Sequence, residues 1–149
     1  MRAWTVCFLL LATALLSACS ATGPLYQPPP AAPPGHATVV IYREWFNRGS
    51  VWRQHWFIDG EEKASLYGNG YTHFVVPAGT HVLSSFKDPA NASLKLDGYF
   101  AAGETYFFKY DIISRQGLRY QHLVRMPADT ATEERKVYRL DQAPLATGE

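Results

Sequence analysis

Between residues 37 and 126 short apolar and aromatic runs are cut by turn-forming residues, and this punctuation constrains the fold more than any other feature of the chain. Breaks recur about every eight to twelve residues, the spacing of a sheet of short strands. Val39-Val40-Ile41-Tyr42 is β-branched and aromatic and predicts a strand over 37–45. A second, over 51–59, places Trp52, Trp56 and Ile58 on one face. Asp59-Gly60 is a hairpin signal leading into 63–67, and Gly68-Asn69-Gly70 tolerates the positive φ of a second turn. Strands over 71–76 and 80–87 flank Pro77-Ala78-Gly79.

After the polar loop Asp88-Pro89-Ala90-Asn91, residues 93–100 set Leu94, Leu96 and Phe100 on one face, with Gly98 suited to a bulge. In 105–113, Tyr106, Phe108, Tyr110 and Ile112 lie opposite Lys109 and Asp111. In 118–126 the expectation is Leu118, Tyr120, Val124 and Met126 inward, with Arg119, Gln121 and Arg125 outward. The fold class expected is therefore all-β: a single antiparallel β-sandwich or small open barrel of about eight strands. A short C-terminal helix is expected within 130–140, where Thr130 could cap and Glu133-Glu134 suit the first turn. One internal echo, Ala78-Gly79-Thr80 and Ala102-Gly103-Glu104-Thr105, marks similar turns and not a solenoid.

Upstream of this domain, Leu16-Ser17-Ala18-Cys19 ends an apolar run that follows the positive Arg2. It resembles the lipobox of bacterial lipoproteins: an aliphatic residue, two small residues and the cysteine that is lipidated. The resemblance implies removal of residues 1–18 as a signal peptide and a diacylglycerol thioether on Cys19, with a third acyl chain in many bacteria. The run is too short for a bilayer of about 30 Å. Several acyl chains hold far more firmly than one, because each buried methylene contributes about 0.8 kcal/mol. Ser20 follows the cysteine where a typical inner-membrane retention signal has Asp, so the resemblance favours the outer membrane; a periplasm-facing domain is expected there. Of the 2 cysteines, Cys7 falls in the signal and Cys19 takes the lipid, leaving no disulfide or cysteine metal site.

Residues 19–36 then read as the lipidated cysteine and a proline-rich tether, with Pro28-Pro29-Pro30 and Pro33-Pro34 favouring extended polyproline II. At about 3.1 Å per residue such a spacer could hold a domain roughly 50 Å from the bilayer. The domain is expected over 37–140 and a disordered tail over 141–149. With 14 Lys+Arg against 13 Asp+Glu, and Arg2 lost with the signal, the charge balance argues against nucleic acid and against a polybasic membrane patch.

The sequence of Val39-Val40-Ile41-Tyr42-Arg43, Phe57-Ile58-Asp59-Gly60-Glu61, Phe74-Val75-Val76-Pro77-Ala78-Gly79-Thr80-His81 and Ala102-Gly103-Glu104-Thr105-Tyr106-Phe107 resembles an uncharacterised bacterial lipoprotein family, domain of unknown function 2846. It is also similar to short PEGA-type β-modules. The likeness covers roughly residues 37–126. It implies a fold and an envelope location, and brings no catalytic or cofactor residues.

Chemistry-bearing patterns are sparse. His36, His55, His73, His81 and His122 show no metal-binding spacing; His73 and His81 could face each other across a hairpin, and His122 reads as a hydrogen-bonded core residue. No GxSxG elbow is present, Ser84 and Ser85 sit mid-strand, and Gly68-Asn69-Gly70 lacks the Lys of a phosphate loop. No catalytic residue, metal or cofactor is assigned, and no enzyme activity is expected. Aromatic residues, at 14% of the chain, are the compositional oddity. Trp45, Phe46, Trp52 and Trp56 crowd the start of the domain around Asn47-Arg48-Gly49-Ser50. They are the candidate patch for an envelope protein or, alternatively, for a glycan or small ligand stacked on aromatic faces. The expectation is a non-catalytic binding or structural module on the outer membrane.

Overall fold

A computed structural model describes residues 21–45 and 52–141. The expected signal segment, the lipobox residues Leu16, Ser17, Ala18 and Cys19, the candidate Phe46 and the tail beyond residue 141 lie outside the described residues. The described strands are β1 (His36–Arg43), β2 (Gln54–Ile58), β3 (Glu61–Leu66), β4 (Gly70–Pro77), β5 (Gly79–Ser84), β6 (Lys95–Phe100), β7 (Thr105–Arg115), β8 (Leu118–Met126) and β9 (Arg139–Leu140). One helix, α1 (Ala128–Arg135), lies between β8 and β9, and a single 3₁₀ turn spans Pro89–Asn91.

The strands form two sheets, ordered β8-β7-β1-β4-β9 and β3-β2-β5-β6. They do not close into a barrel, and the fold is a β-sandwich. Pairing is antiparallel except for β1 with β7 and β4 with β9, which run parallel. The core between the sheets takes Val39 and Ile41 from β1, Phe108 and Tyr110 from β7, and Trp56, Leu66, Leu83 and Phe100 from the smaller sheet. β1 is buried from Ala37 to Arg43 because its other face is covered as well. There Val40, Tyr42, Tyr71 and Phe107 meet Ala131 of α1 and Tyr138, with Tyr26 against them. A strand covered on both sides needs the near-continuous apolar run that 39–42 supplies.

Turn chemistry follows the sequence closely. Asp59 (φ 50°) and Gly60 (φ 84°) both take positive φ, as a two-residue primed hairpin turn between Ile58 and Glu61 requires. The two Ala-Gly echoes are both sheet-to-sheet arches: one carries β4 into β5, the other β6 into β7. They meet at one end, where Ala78 N–H donates to Gly35 O (2.8 Å) and Gly103 N–H donates to His36 O (2.8 Å).

Several expectations are corrected. β2 begins at Gln54, so Trp52 lies outside the strand and does not share the inward face of Trp56. The irregularity in the smaller sheet falls at Trp56/Phe57, and Gly98 pairs in regular register with His81. The face of β8 turned to the inter-sheet core is the reverse of that expected, although Met126, expected inward, packs against the cluster on the other side of the larger sheet. Tyr110 pairs with Leu123, which therefore turns inward, and Leu118, Tyr120, His122 and Val124 are exposed. His122 is thus no core residue. His73 and His81 lie in different sheets, because the chain switches sheets at Pro77–Gly79, and they do not face each other. The helix starts at Ala128 behind Pro127 with no side-chain cap, and part of the stretch expected as helix forms β9.

The proline-rich segment departs furthest from expectation. Its first part is docked on the domain: Tyr26 N–H donates to Tyr138 O (3.0 Å), and Leu140 N–H donates to Pro24 O (2.8 Å). Leu25 bridges Arg139, and Gln27 N–H reaches the Tyr71 hydroxyl (3.1 Å). The prolines then run from the β4 start, near Tyr71, to its far end, where Gly35 meets Ala78. Extended polyproline II covers such a span with little entropy left to lose. The segment is a strap along the fold and not a free spacer. Asp141, assigned to the tail, is likewise buried in the domain.

Arg135 fastens the strap. Its guanidinium is 1% exposed and sits between the Tyr26 ring (4.1 Å) and the Phe107 ring (3.9 Å), while Nε donates to Ala131 O (2.6 Å). Burial lowers its pKa, yet an arginine remains charged. Beside it, Lys109 pairs with Glu44 (2.7 Å) and Glu134 (3.2 Å), and the Tyr42 hydroxyl donates to Glu134 (2.9 Å), pinning the polar side of α1 to the sheet.

Candidate functional site

The sandwich opens into a cleft where the start of β2 and the end of β5 stand opposite β7 and β8. One part, of about 360 Å³, is lined by Arg43, Trp52, Arg53, Gln54, Tyr110, Ile112, Arg119 and Gln121. An adjoining part, of about 610 Å³, shares Arg53, Gln54 and Gln121 and adds His55, Phe57, Ser85, Phe86, Lys87 and Ser93. Both volumes suit a small ligand. No carboxylate is among these lining residues; Arg43 is buried and Arg53 is paired with Asp141, which leaves Arg119 and Lys87 as the exposed cations of the cleft.

Local structure fixes the two inner arginines. Arg43 ends β1 and is 3% exposed; its Nη1 donates to Trp52 O (2.5 Å) and Leu66 O (2.8 Å), and its guanidinium lies 5.5 Å from the Tyr110 ring centre. Burial lowers its pKa, with Tyr110 and Asp141 acting the other way. Arg53 lies over the Tyr67 ring (4.2 Å), donates to Ser65 O (3.0 Å) and Oγ (2.9 Å), and pairs with Asp141 (3.0 Å). Asp141 in turn accepts from Tyr67 N–H (2.6 Å). Held this way, both guanidinium groups are fixed in place: Arg43 is turned to protein carbonyls, and Arg53, 28% exposed, reaches the cleft surface. Gln54 and Gln121 add amide donors and acceptors, and Tyr110, Phe57, Phe86 and Trp52 supply aromatic walls.

The predicted aromatic patch is divided by the structure. Trp52 is 74% exposed and lines the cleft, and Trp45 is exposed nearby in sequence but is not among the lining residues. Trp56 is corrected outright: it is fully buried against Tyr110, with ring centres 5.5 Å apart, and offers nothing to a partner. Arg43, Arg53, Arg119, Tyr110 and Gln121 were missed as site residues. Arg43 and Arg53 border apolar runs at the two ends of the loop carrying Trp45 and Trp52, which was the available signal.

Other polar groups have local duties. His55 bonds Glu62 (2.6 Å), and His81 bonds Asp59 (2.5 Å) and Pro77 O (2.8 Å). Among the described residues the Ser85 hydroxyl is buried without a hydrogen-bond partner, and no group of three His, Cys, Asp or Glu converges as a metal site. The cleft presents guanidinium, amide and aromatic groups together. No family model, curated protein or solved structure matches the chain.

Proposed function

We propose that the protein is a lipid-anchored, non-catalytic binding module of the bacterial cell envelope, attached to the outer membrane through Cys19, whose cleft takes an anionic glycan. The observation that carries this reading is the cleft: four cations, two amides and an exposed tryptophan with no carboxylate among its lining residues. Guanidinium groups recognise carboxylate oxygens by charge-assisted hydrogen bonds, and an exposed indole offers its face to sugar C–H edges. Lipid anchoring is supported by the Leu16-Ser17-Ala18-Cys19 pattern. Among the described residues no helix is long and apolar enough to cross a membrane.

The test is titration with muropeptides, which carry both sugar rings and carboxylates, beside neutral chitooligosaccharides of the same length. Muropeptides should bind, and Trp52→Ala and Arg119→Glu should each weaken binding at least tenfold without changing the unfolding midpoint. Equal affinity for the neutral sugars, or indifference to both substitutions, would remove the cleft from the proposal.

A further inference from the structure

The docked N-terminal strap changes what a lipid on Cys19 would mean. Ala21 is buried in the fold, and two peptide units separate it from Cys19. Their Cα atoms can be no more than about 7 Å apart in any conformation. An acyl-anchored Cys19 therefore holds the folded domain at the headgroups, not at the stand-off a free proline spacer would allow.

The surface beside that attachment has matching chemistry. Along the strap and β9, side chains alternate: Tyr26, Tyr138 and Leu140 pack inward, whereas Leu25 (52% exposed) and Val137 (73% exposed) stand in solvent. Arg139, bridged to Leu25, is exposed with them, its Nη1 donating to Gly23 O (3.1 Å). Glu133 is ion-paired with Lys136 (2.6 Å), so that exposed pair adds no net charge to the end of α1. Two large aliphatic side chains with an arginine between them fit the boundary of acyl chains and phosphates. Each is too small to bind a membrane alone, but a lipid on Cys19, six residues before Leu25, supplies the effective concentration.

We propose that the face carrying Leu25, Val137 and Arg139 rests on the bilayer, so that lipid is a second ligand of the folded domain and fixes its orientation. This rests on the lipid-anchored reading of Cys19. Tyr99, exposed on β6 of the opposite sheet, then points away from the membrane.

The experiment uses the full chain expressed with its own N-terminus, purified from membranes and reconstituted in vesicles of phosphatidylethanolamine with a minority of phosphatidylglycerol. Val137→Cys and Tyr99→Cys are labelled with an environment-sensitive fluorophore; both positions are exposed, so the fold tolerates them. Mass analysis of the N-terminal peptide reports the lipid. The expected result is a lipidated Cys19 with quenching by spin-labelled lipid at least threefold stronger at 137 than at 99. Lipidation with equal quenching, or stronger quenching at 99, would overturn the docking alone. A peptide without lipid would overturn the anchoring reading and the docking together.

Discussion

Trp56 and Trp52 stand four residues apart in sequence, yet the structure gives them opposite roles, and substitution separates those roles cleanly. Trp56 is wholly buried in the inter-sheet core, edge-on to Tyr110 at 5.5 Å. Truncation of a buried Trp to Ala costs about 3–5 kcal/mol, against a total stability of about 5–15 kcal/mol for a domain. Trp56→Ala should therefore lower the urea midpoint by about a fifth or more, or abolish folding. Its indole N–H is buried with no hydrogen-bond partner among the described residues. An unsatisfied buried donor is itself worth about 1–3 kcal/mol of destabilisation. Trp56→Phe removes that donor while leaving a void on the order of 40 Å³, which at about 24 cal/mol per Å³ costs ~1 kcal/mol. The two effects offset, so Trp56→Phe should be within about 1 kcal/mol of the parent. Trp52→Ala, at an exposed site, should move stability by less than about 0.5 kcal/mol. The assay is urea unfolding followed by far-ultraviolet circular dichroism, with unchanged m values as the check on two-state behaviour. A loss above about 2 kcal/mol for Trp56→Phe would mean the indole N–H is bonded, and equal losses for Trp52→Ala and Trp56→Ala would refute the division between core and surface.

Arg135→Ala should cost about 2 kcal/mol, because two desolvated cation–π contacts near 2 kcal/mol each are lost while the burial cost of the guanidinium is relieved. Limited proteolysis should then cut within 21–34 far faster than in the parent, and unchanged cutting would show that Tyr26 is held otherwise. The Asp59–His81 pair predicts a pH window. Burial opposes it, but the hydrogen bonds that His81 donates to Asp59 and Pro77 O hold its pKa above the ordinary value; conversely, despite burial, the bonds that Asp59 accepts from His81 and Val82 N–H hold the Asp59 pKa below its own. Stability from His81 is complete below about pH 6.5 and fades as pH rises through its raised pKa. Stability from Asp59 is complete above about pH 3.9 and fades as pH falls through its lowered pKa. His81→Gln should thus cost most between about pH 4 and 6.5, by no more than about 1 kcal/mol given the exposed Asp59. A difference from the parent that does not vary between pH 5 and 9 would contradict the assignment.

Strand positions and turn types were legible because they depend on neighbours in sequence. Asp59-Gly60 and the alternating aromatics of β7 specify a turn and an inward face without reference to the rest of the chain. The face of β8 was not, since apolar residues occupy both phases of that strand and the pairing of Tyr110 with Leu123 decides which phase turns inward. Trp52 and Trp56 share parity, so only the start of β2 at Gln54 separates them. The cleft was partly legible: Trp52 was identified, but Arg53 acquires its place from Ser65 and Asp141, the second of them 88 residues away. The prolines marked residues 19–36 as an extended tether. That holds for an isolated segment, but Tyr26 folds against Tyr71, Tyr138 and Arg135, partners that only the tertiary structure assembles.

Those distant partners also tie the two proposed binding surfaces together. The strap from Gly23 to Tyr26 is hydrogen-bonded along residues 138–140, and the next residue, Asp141, reaches across to Arg53 and the Tyr67 N–H. Arg53 lines both parts of the cleft. One short run of backbone, 138–141, therefore lies between the lipid-proximal strap and the cationic cleft. If the strap is pulled from β9, Leu140 N–H loses its acceptor and the residue beside it is the one that orients Arg53. An anionic ligand on Arg53 competes with Asp141 for the same guanidinium and so acts on this run from its other side. Because coupling free energy is reciprocal, whatever factor strap docking contributes to ligand affinity, the ligand contributes to strap docking. The proline-rich segment is thus bonded to the same short run of backbone that orients Arg53, which a free spacer would not be.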